Sequence, residues 1–256
     1  MESMKKRVLF LAIFIIILNA CSRSKDEDSN SSTFVFPESD AAGGLLVDKE
    51  NGTVQWTFAS LKYWHSDSPQ VNGENGYSLQ GDTLRFITHK GTTERPKVVT
   101  QEKIYGFGEY TWRVYVPMTP IGDRTSIGAF LYSDDQHEFD FEIGSGTSAI
   151  RKTLSALNSE MVVYITSQDN PWYQKVLTIQ GNKWYTLSMK LKNVGGKYNV
   201  IWSIDGNQVG SVVTTFGSET PFYIFCSLEN LAFIGDNLSS QDNYCLFDYV
   251  EYKPNI

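Results

Sequence analysis

Histidine is scarce in this chain of 256 residues: His65, His89 and His137 are its only three. A lyase that abstracts a proton beside a uronate carboxyl with a Tyr/His pair therefore has few residues to draw on. His137 adjoins the most acidic strand, but alternation turns it to the opposite face. Basic clusters are absent after Lys5, Lys6 and Arg7, and the formal net charge is −7. Nucleic acid is therefore not an expected partner, since its phosphates are held by clustered cations. A neutral polymer suits the charge better than a heavily sulfated one. No segment carries a convincing 3.6-residue period, and there is neither an internal repeat nor a second domain boundary. The apolar run Val8 to Leu18 is too short to span a bilayer comfortably. Cysteine is sparse too. Cys226 and Cys245 lie in apolar, strand-like segments, where a disulfide of an exported chain and two buried thiols both remain open.

Lys5, Lys6 and Arg7 followed by Val8 to Leu18 have the layout of an export signal. Leu18-Asn19-Ala20-Cys21 resembles the lipobox of a bacterial lipoprotein, which implies a signal peptide over 1–20 and lipid on Cys21. The polar stretch 21–33, with Lys25-Asp26-Glu27-Asp28, reads as a disordered tether. Residues 34–256 then form one domain, expected to be monomeric and anchored to the outer membrane through Cys21. The acidic patch behind Cys21 resembles a surface-export signal and extends that expectation to the cell exterior.

What the sequence has in quantity is short alternating apolar segments bounded by Gly, Asn, Asp and Pro. Gly76 to Ile87 reads as two strands around Gly81-Asp82, Gly108 to Val116 as a long strand ended by Pro117, and Ser126 to Tyr132 as another. Trp184 to Lys192, Tyr198 to Ile204 and Gln208 to Val213 follow a strand, tight turn, strand rhythm. Met161 to Ser167, Pro221 to Leu228 and Tyr244 to Tyr252 complete about a dozen strands, and Gly144 to Ser159 reads as a polar loop. The fold class is all-β: two packed antiparallel sheets in a β-sandwich jelly roll. Two aromatic stretches stand out. Tyr63-Trp64-His65 suits core or a sugar platform, and Trp172-Tyr173 sits in a loop where burying both rings is hard, so Trp64, Trp172 and Tyr173 are candidate sugar contacts.

The acidic strand is His137-Glu138-Phe139-Asp140-Phe141-Glu142-Ile143-Gly144. Side chains alternate across a strand, so Glu138, Asp140 and Glu142 share one face and the two Phe and Ile143 the other. A solvated acidic face explains this pattern, but three like charges in a row are unfavourable. The alternative is a carboxylate active site. The Cα atoms of Glu138 and Glu142 lie about 13 Å apart, and two inclined Glu side chains span that to the roughly 5–5.5 Å of a retaining glycosidase pair. Asp140 between them raises the proton affinity of a neighbour or shares a proton with it.

Four passages together resemble glycoside hydrolase family 16, the laminarinases, lichenases, agarases and their relatives. They are Tyr105-Gly106-Phe107-Gly108-Glu109-Tyr110 with Val114 to Pro117; Glu138-Phe139-Asp140-Phe141-Glu142; Trp184-Tyr185-Thr186-Leu187 with Trp202-Ser203-Ile204-Asp205-Gly206; and Phe247-Asp248-Tyr249-Val250-Glu251-Tyr252. The resemblance covers most of Gly76 to Tyr252. It implies a concanavalin A-like jelly roll with a sugar cleft, Glu138 as nucleophile, Asp140 as its assistant and Glu142 as general acid/base. The implied reaction is endo-acting, retaining hydrolysis of a β-linked polysaccharide of the β-glucan or β-galactan class, with no cofactor in the chemistry. A non-catalytic carbohydrate-binding protein on the same fold is the alternative. Asp248 matches an Asp that helps hold a structural calcium in many members. The family's Trp in the strand before the acids is missing from Ala129-Phe130-Leu131-Tyr132, and Tyr132 is the candidate to replace it.

Overall fold

The computed structural model describes residues 34–67 and 76–254. The signal, the tether and Cys21 lie outside the described residues. The described residues all fall in one compact unit, Thr33–Ile256.

The first sheet contains β1 (Leu45–Asp48), β2 (Thr53–Thr57), β4 (Tyr77–Gln80), β5 (Thr83–Thr88), β7 (Gly108–Val116), β12 (Lys183–Val194), β13 (Lys197–Ile204), β14 (Asn207–Gly217) and β16 (Asn243–Pro254). The second contains β3 (Trp64–Ser66), β6 (Lys97–Thr100), β8 (Thr125–Asp134), β9 (His137–Gly144), β10 (Glu160–Ser167), β11 (Tyr173–Gln180) and β15 (Tyr223–Asn230). Every strand pairing is antiparallel. The second sheet runs β11-β10-β9-β8-β15-β6-β3, which puts the acidic strand β9 between β8 and β10.

Alternation in sequence becomes the two faces of these strands. β7 changes between buried and half-buried at every residue, and Tyr110, Trp112, Val114 and Val116 enter the core. On β9 it is Phe139, Phe141 and Ile143 that do so, each fully buried. Each such side chain stabilises the fold by about 1.5–3 kcal/mol. Two indoles cross the interior to the backbone of the second sheet: Trp112 Nε1 donates to Phe225 O at 3.1 Å, and Trp202 Nε1 to Asp140 O at 3.1 Å. Cys226 and Cys245 are free thiols buried in this core, so the disulfide alternative gives way to the buried one, and burial pushes both thiols well up.

The described residues hold sixteen strands rather than about a dozen; Val54 to Phe58 and Leu61 to His65, strand-like but irregular in sequence, carry β2 and β3, and β1, β6 and β11 are the ones alternation did not single out. They also include a helix inside the expected polar loop, α1 (Ser148–Leu154). The Thr147 side chain caps it by accepting from Ile150 N, and Ser155 ends it in the left-handed region at φ 53°. Arg151, buried beneath it, donates to Ser145 O, Leu157 O and Glu160 O at 2.6–3.0 Å, which satisfies three loop carbonyls at once.

Candidate active site

The outer face of the second sheet carries a cleft of about 750 Å³ with the acidic strand in its floor. Pairing fixes what stands beside each acid. Glu138 lies opposite Tyr132 on β8, Asp140 opposite Phe130, and Glu142 opposite Gly128. On the other flank, Thr166 of β10 faces Asp140 and Tyr164 faces Glu142. Phe130 stacks on Phe225 of β15, ring centroids 4.6 Å apart and 10° from parallel, and Tyr132 meets Phe225 edge-on at 6.0 Å. Leu131, in the segment where the family's Trp is missing, turns into the core, so Phe130, Phe225 and Tyr132 supply the aromatic surface beside the acids.

The three carboxyls have different surroundings. Asp140, 2% exposed, accepts from Gln168 Nε2 at 2.8 Å through Oδ2, while no donor reaches its buried Oδ1. Burial, then the charges of Glu138 and Glu142, push its proton affinity well up, and a hydrogen bond links its carboxyl to that of Glu138. Two carboxyls bond only through a shared proton, and the directions assign that proton to Asp140. Glu138 is itself raised by burial, but the bond from Asp140 lowers it and favours its anion. Glu142 accepts a short hydrogen bond from Ser126 Oγ. Burial first, then the Glu229 charge, lift Glu142 to about 8. All three carboxyls are thus held above the ordinary carboxylate range, and Glu142, raised to about 8, keeps its proton near neutrality.

Gly128 makes room for this arrangement. A Cβ there would overlap Ser227 Oγ and stand 3.3 Å from Glu142 Oε1. Glu229, buried on β15, is paired with Lys97 Nζ at 2.9 Å and with Arg95 Nε, and all three line the cleft. Sequence alone assigned no role to Glu229, Lys97, Arg95, Gln168 or Ser126. The Glu229 partners lie 132 and 134 residues away, and only the pairing of β15 with β6 brings them together. A trace was present in alternation: Phe225, Ser227 and Glu229 share one face of β15 as the acids share one face of β9.

Of the expected sugar contacts, Tyr132 and Trp172 line the cleft, and Trp172 is 59% exposed at its rim. Tyr173 is a correction. It opens β11 and turns inward, stacking on Trp202 with centroids 5.7 Å apart. Alternation sends adjacent rings to opposite faces, so only one needed burial. Trp64 is a second correction: it is 4% exposed and packs on Trp56 and Phe58 inside the sandwich. Phe233, 53% exposed, and Ile150 of α1 form an apolar part of the wall. Asp248 is exposed at the bulge of β16. Among the described residues no three Asp, Glu, His or Cys side chains gather to hold a metal ion. Asp248 thus offers one carboxylate where calcium takes about six to eight oxygens, and by itself it does not make that site.

No family model matches the chain, and neither does any curated protein. Solved structures do. A lichenase from a mouse hindgut metagenome, a β-1,3-1,4-glucanase, superposes with TM-score 0.57 at 14% identity over 79% of this chain and 99% of its own. A β-glucanase of Bacillus licheniformis gives 0.56 at 15% over 80% and 99%. A glycoside hydrolase family 16 endo-glucanase from Bacteroides ovatus gives 0.51 at 13% over 76% and 96%. At such identities the shared property is architecture, and this chain has the two-sheet jelly roll of the family 16 glycoside hydrolases.

Proposed function

We propose that this protein is an endo-acting, retaining glycoside hydrolase that cuts a β-linked polysaccharide of the β-glucan or β-galactan class. The observation that carries the reading is the row of Glu138, Asp140 and Glu142 on one strand in the floor of an aromatic-lined cleft, with Asp140 held by Gln168 and Glu142 held by Ser126. In the first displacement a Glu138 oxygen bonds to the anomeric carbon as the glycosidic C–O bond breaks, and Glu142 gives its proton to the departing oxygen. Asp140, held by Gln168, directs its proton at Glu138 and orients that carboxylate.

Esterification then removes the Glu138 charge, one of the causes that raise Glu142. The proton affinity of Glu142 falls with it, so the group stays an anion between the two displacements and is in the form that takes a proton from the incoming water. The water oxygen bonds to the anomeric carbon, and Glu138 leaves as carboxylate. Two inversions give retention. The steps use only groups of the chain. Lipid on Cys21 holding the domain at the outer membrane belongs to the same proposal, and mass spectrometry of the mature N-terminus tests it.

Incubation with a panel of β-glucans and β-galactans, with NMR of the first product's anomer, tests the chemistry. A retained anomer and oligosaccharide products are expected. An inverted anomer removes Glu138 as nucleophile, and binding without cleavage across the panel favours a carbohydrate-binding protein.

A further inference from the structure

Glu229 is a buried acid that the proposed chemistry does not use. It sits on β15 opposite Ser126, and Ser126 is the residue whose hydroxyl bonds Glu142. One row over, Glu142, Gly128, Ser227 and Lys97 stand side by side across β9, β8, β15 and β6. Lys97, bonded to Glu229, thus closes a circuit around Glu142 in which one end is Ser126 and the other is the ion pair. The two glycine and serine positions between them carry nothing bulkier than a hydroxyl, so no large side chain separates the ion pair from the acid.

We infer that Glu229, with its partners Lys97 and Arg95, is a positioning group that sets when Glu142 holds its proton and when it releases it. The inference rests on the acid/base role proposed for Glu142. Its reasoning is electrostatic: a fixed anion near the acid favours the protonated form, the fixed cations favour the anion, and their balance fixes where between the two Glu142 sits. The Glu229 charge ranks above that of Glu138 among the causes raising Glu142, and Lys97 acts in the opposite direction. The groups facing Glu142 from elsewhere are fewer. β10 contributes Tyr164 and its own strand Glu138 and Asp140, while Gly128 of β8, Ile150 of α1 and Leu231 and Phe233 of the following loop bring no charge. A salt bridge that merely held β15 to β6 would sit as well on the outer rim of the sheet. This one lies inside the cleft with its acid only 3% exposed.

The experiment follows the Glu142 side-chain carboxyl directly, by carbon-13 NMR titration of the glutamate-labelled protein, with Glu142→Gln to assign the signal. Glu229→Gln leaves two cations without their anion, so the Glu142 midpoint falls by about one unit, the effect of one charge acting over several ångströms of partly solvated protein. Lys97→Gln leaves the anion less compensated, and the midpoint rises. Arg95→Gln, at an outer position 55% exposed, also raises it and serves if either buried variant fails to fold. Opposite signs are the signature, since loss of packing alone moves all three the same way. An unchanged midpoint in Glu229→Gln and Arg95→Gln, or shifts of one sign, overturns the inference. Because the titration needs no substrate, it is read separately from the proposed reaction. A wild type that cleaves nothing while the midpoints move in opposite directions removes the hydrolase and keeps the electrostatic role of Glu229.

Discussion

The Gly128→Ala variant isolates how the floor of the cleft is built. Gly128 does not use the left-handed region, so alanine adopts its backbone without strain and the cost is one of space. The new Cβ overlaps Ser227 Oγ and comes within 3.3 Å of both Glu142 Oε1 and Phe130 Cδ1. Overpacking of a tight interior costs about 1–3 kcal/mol, offset by about 0.4–1 kcal/mol from the stiffer unfolded chain, for a net loss of about 1–2 kcal/mol. For a domain of this size that lowers the melting midpoint by about 2–8 °C. Ser227 Oγ has no hydrogen-bond partner. Ser227→Ala alone is therefore close to neutral, and the double variant recovers most of the loss, a coupling of about 1 kcal/mol between the positions. Activity separates from stability here, because the approach to Glu142 persists in the double variant and its turnover stays below wild type. Urea unfolding followed by tryptophan fluorescence reads the stability, with the slope against denaturant held as a check. Equal midpoints for Gly128→Ala and wild type, or additive effects in the double variant, refute the reasoning.

Glu138→Gln and Glu142→Gln each abolish release of oligosaccharide while polymer binding by affinity electrophoresis persists; Glu142→Ala loses less on substrates with good leaving groups, about 10²–10⁴-fold being the share of acid assistance. Since Glu142 is raised from 4.5 to about 8 on folding, the native state binds the extra proton in that window, and stability falls as pH rises through it. The slope for one such group is at most about 1.4 kcal/mol per pH unit, and Glu142→Gln flattens it in melting curves recorded from pH 5 to 8. Trp172→Ala raises KM several-fold with an unchanged melting midpoint, whereas Trp64→Ala destabilises by about 3–5 kcal/mol, so calorimetry separates the rim ring from the core ring. Cys226 and Cys245 resist a thiol reagent until the protein is unfolded, and reductant leaves the melting curve in place.

The long strands were legible because each buries one face. β7 and β13 alternate strictly in burial over 8–9 residues, β9 alternates in residue type, and the reading of β7 agrees with its structural bounds. β6 was hidden because Val98 enters the core while Val99 packs with Phe130 and Phe225, so both faces are apolar. β11 was hidden for the opposite reason: as an edge strand it leaves much of both faces to solvent. α1, at 7 residues, spans too few turns to show a period. The acid row was legible because its three members lie on one strand. Phe225, Glu229 and Lys97 from other strands, and Gln168 just past the end of β10, complete the site, and no local pattern in a single sequence announces a pairing of that range.

The two indole bonds across the sandwich end on strands with distinct duties. Trp202 fastens the carbonyl of Asp140 and Trp112 that of Phe225, so the strand of acids and the strand of Phe225 and Glu229 are held from behind by the opposite sheet. Trp172 and Phe233 stand at the exposed rim, where loops rather than the sandwich interior position them. The acidic row and the wall of the cleft are thus built of different materials, a braced frame beneath the carboxyls and a loop-borne margin around them. Substitutions at that margin can therefore change what the cleft holds while the carboxyl frame stays in place.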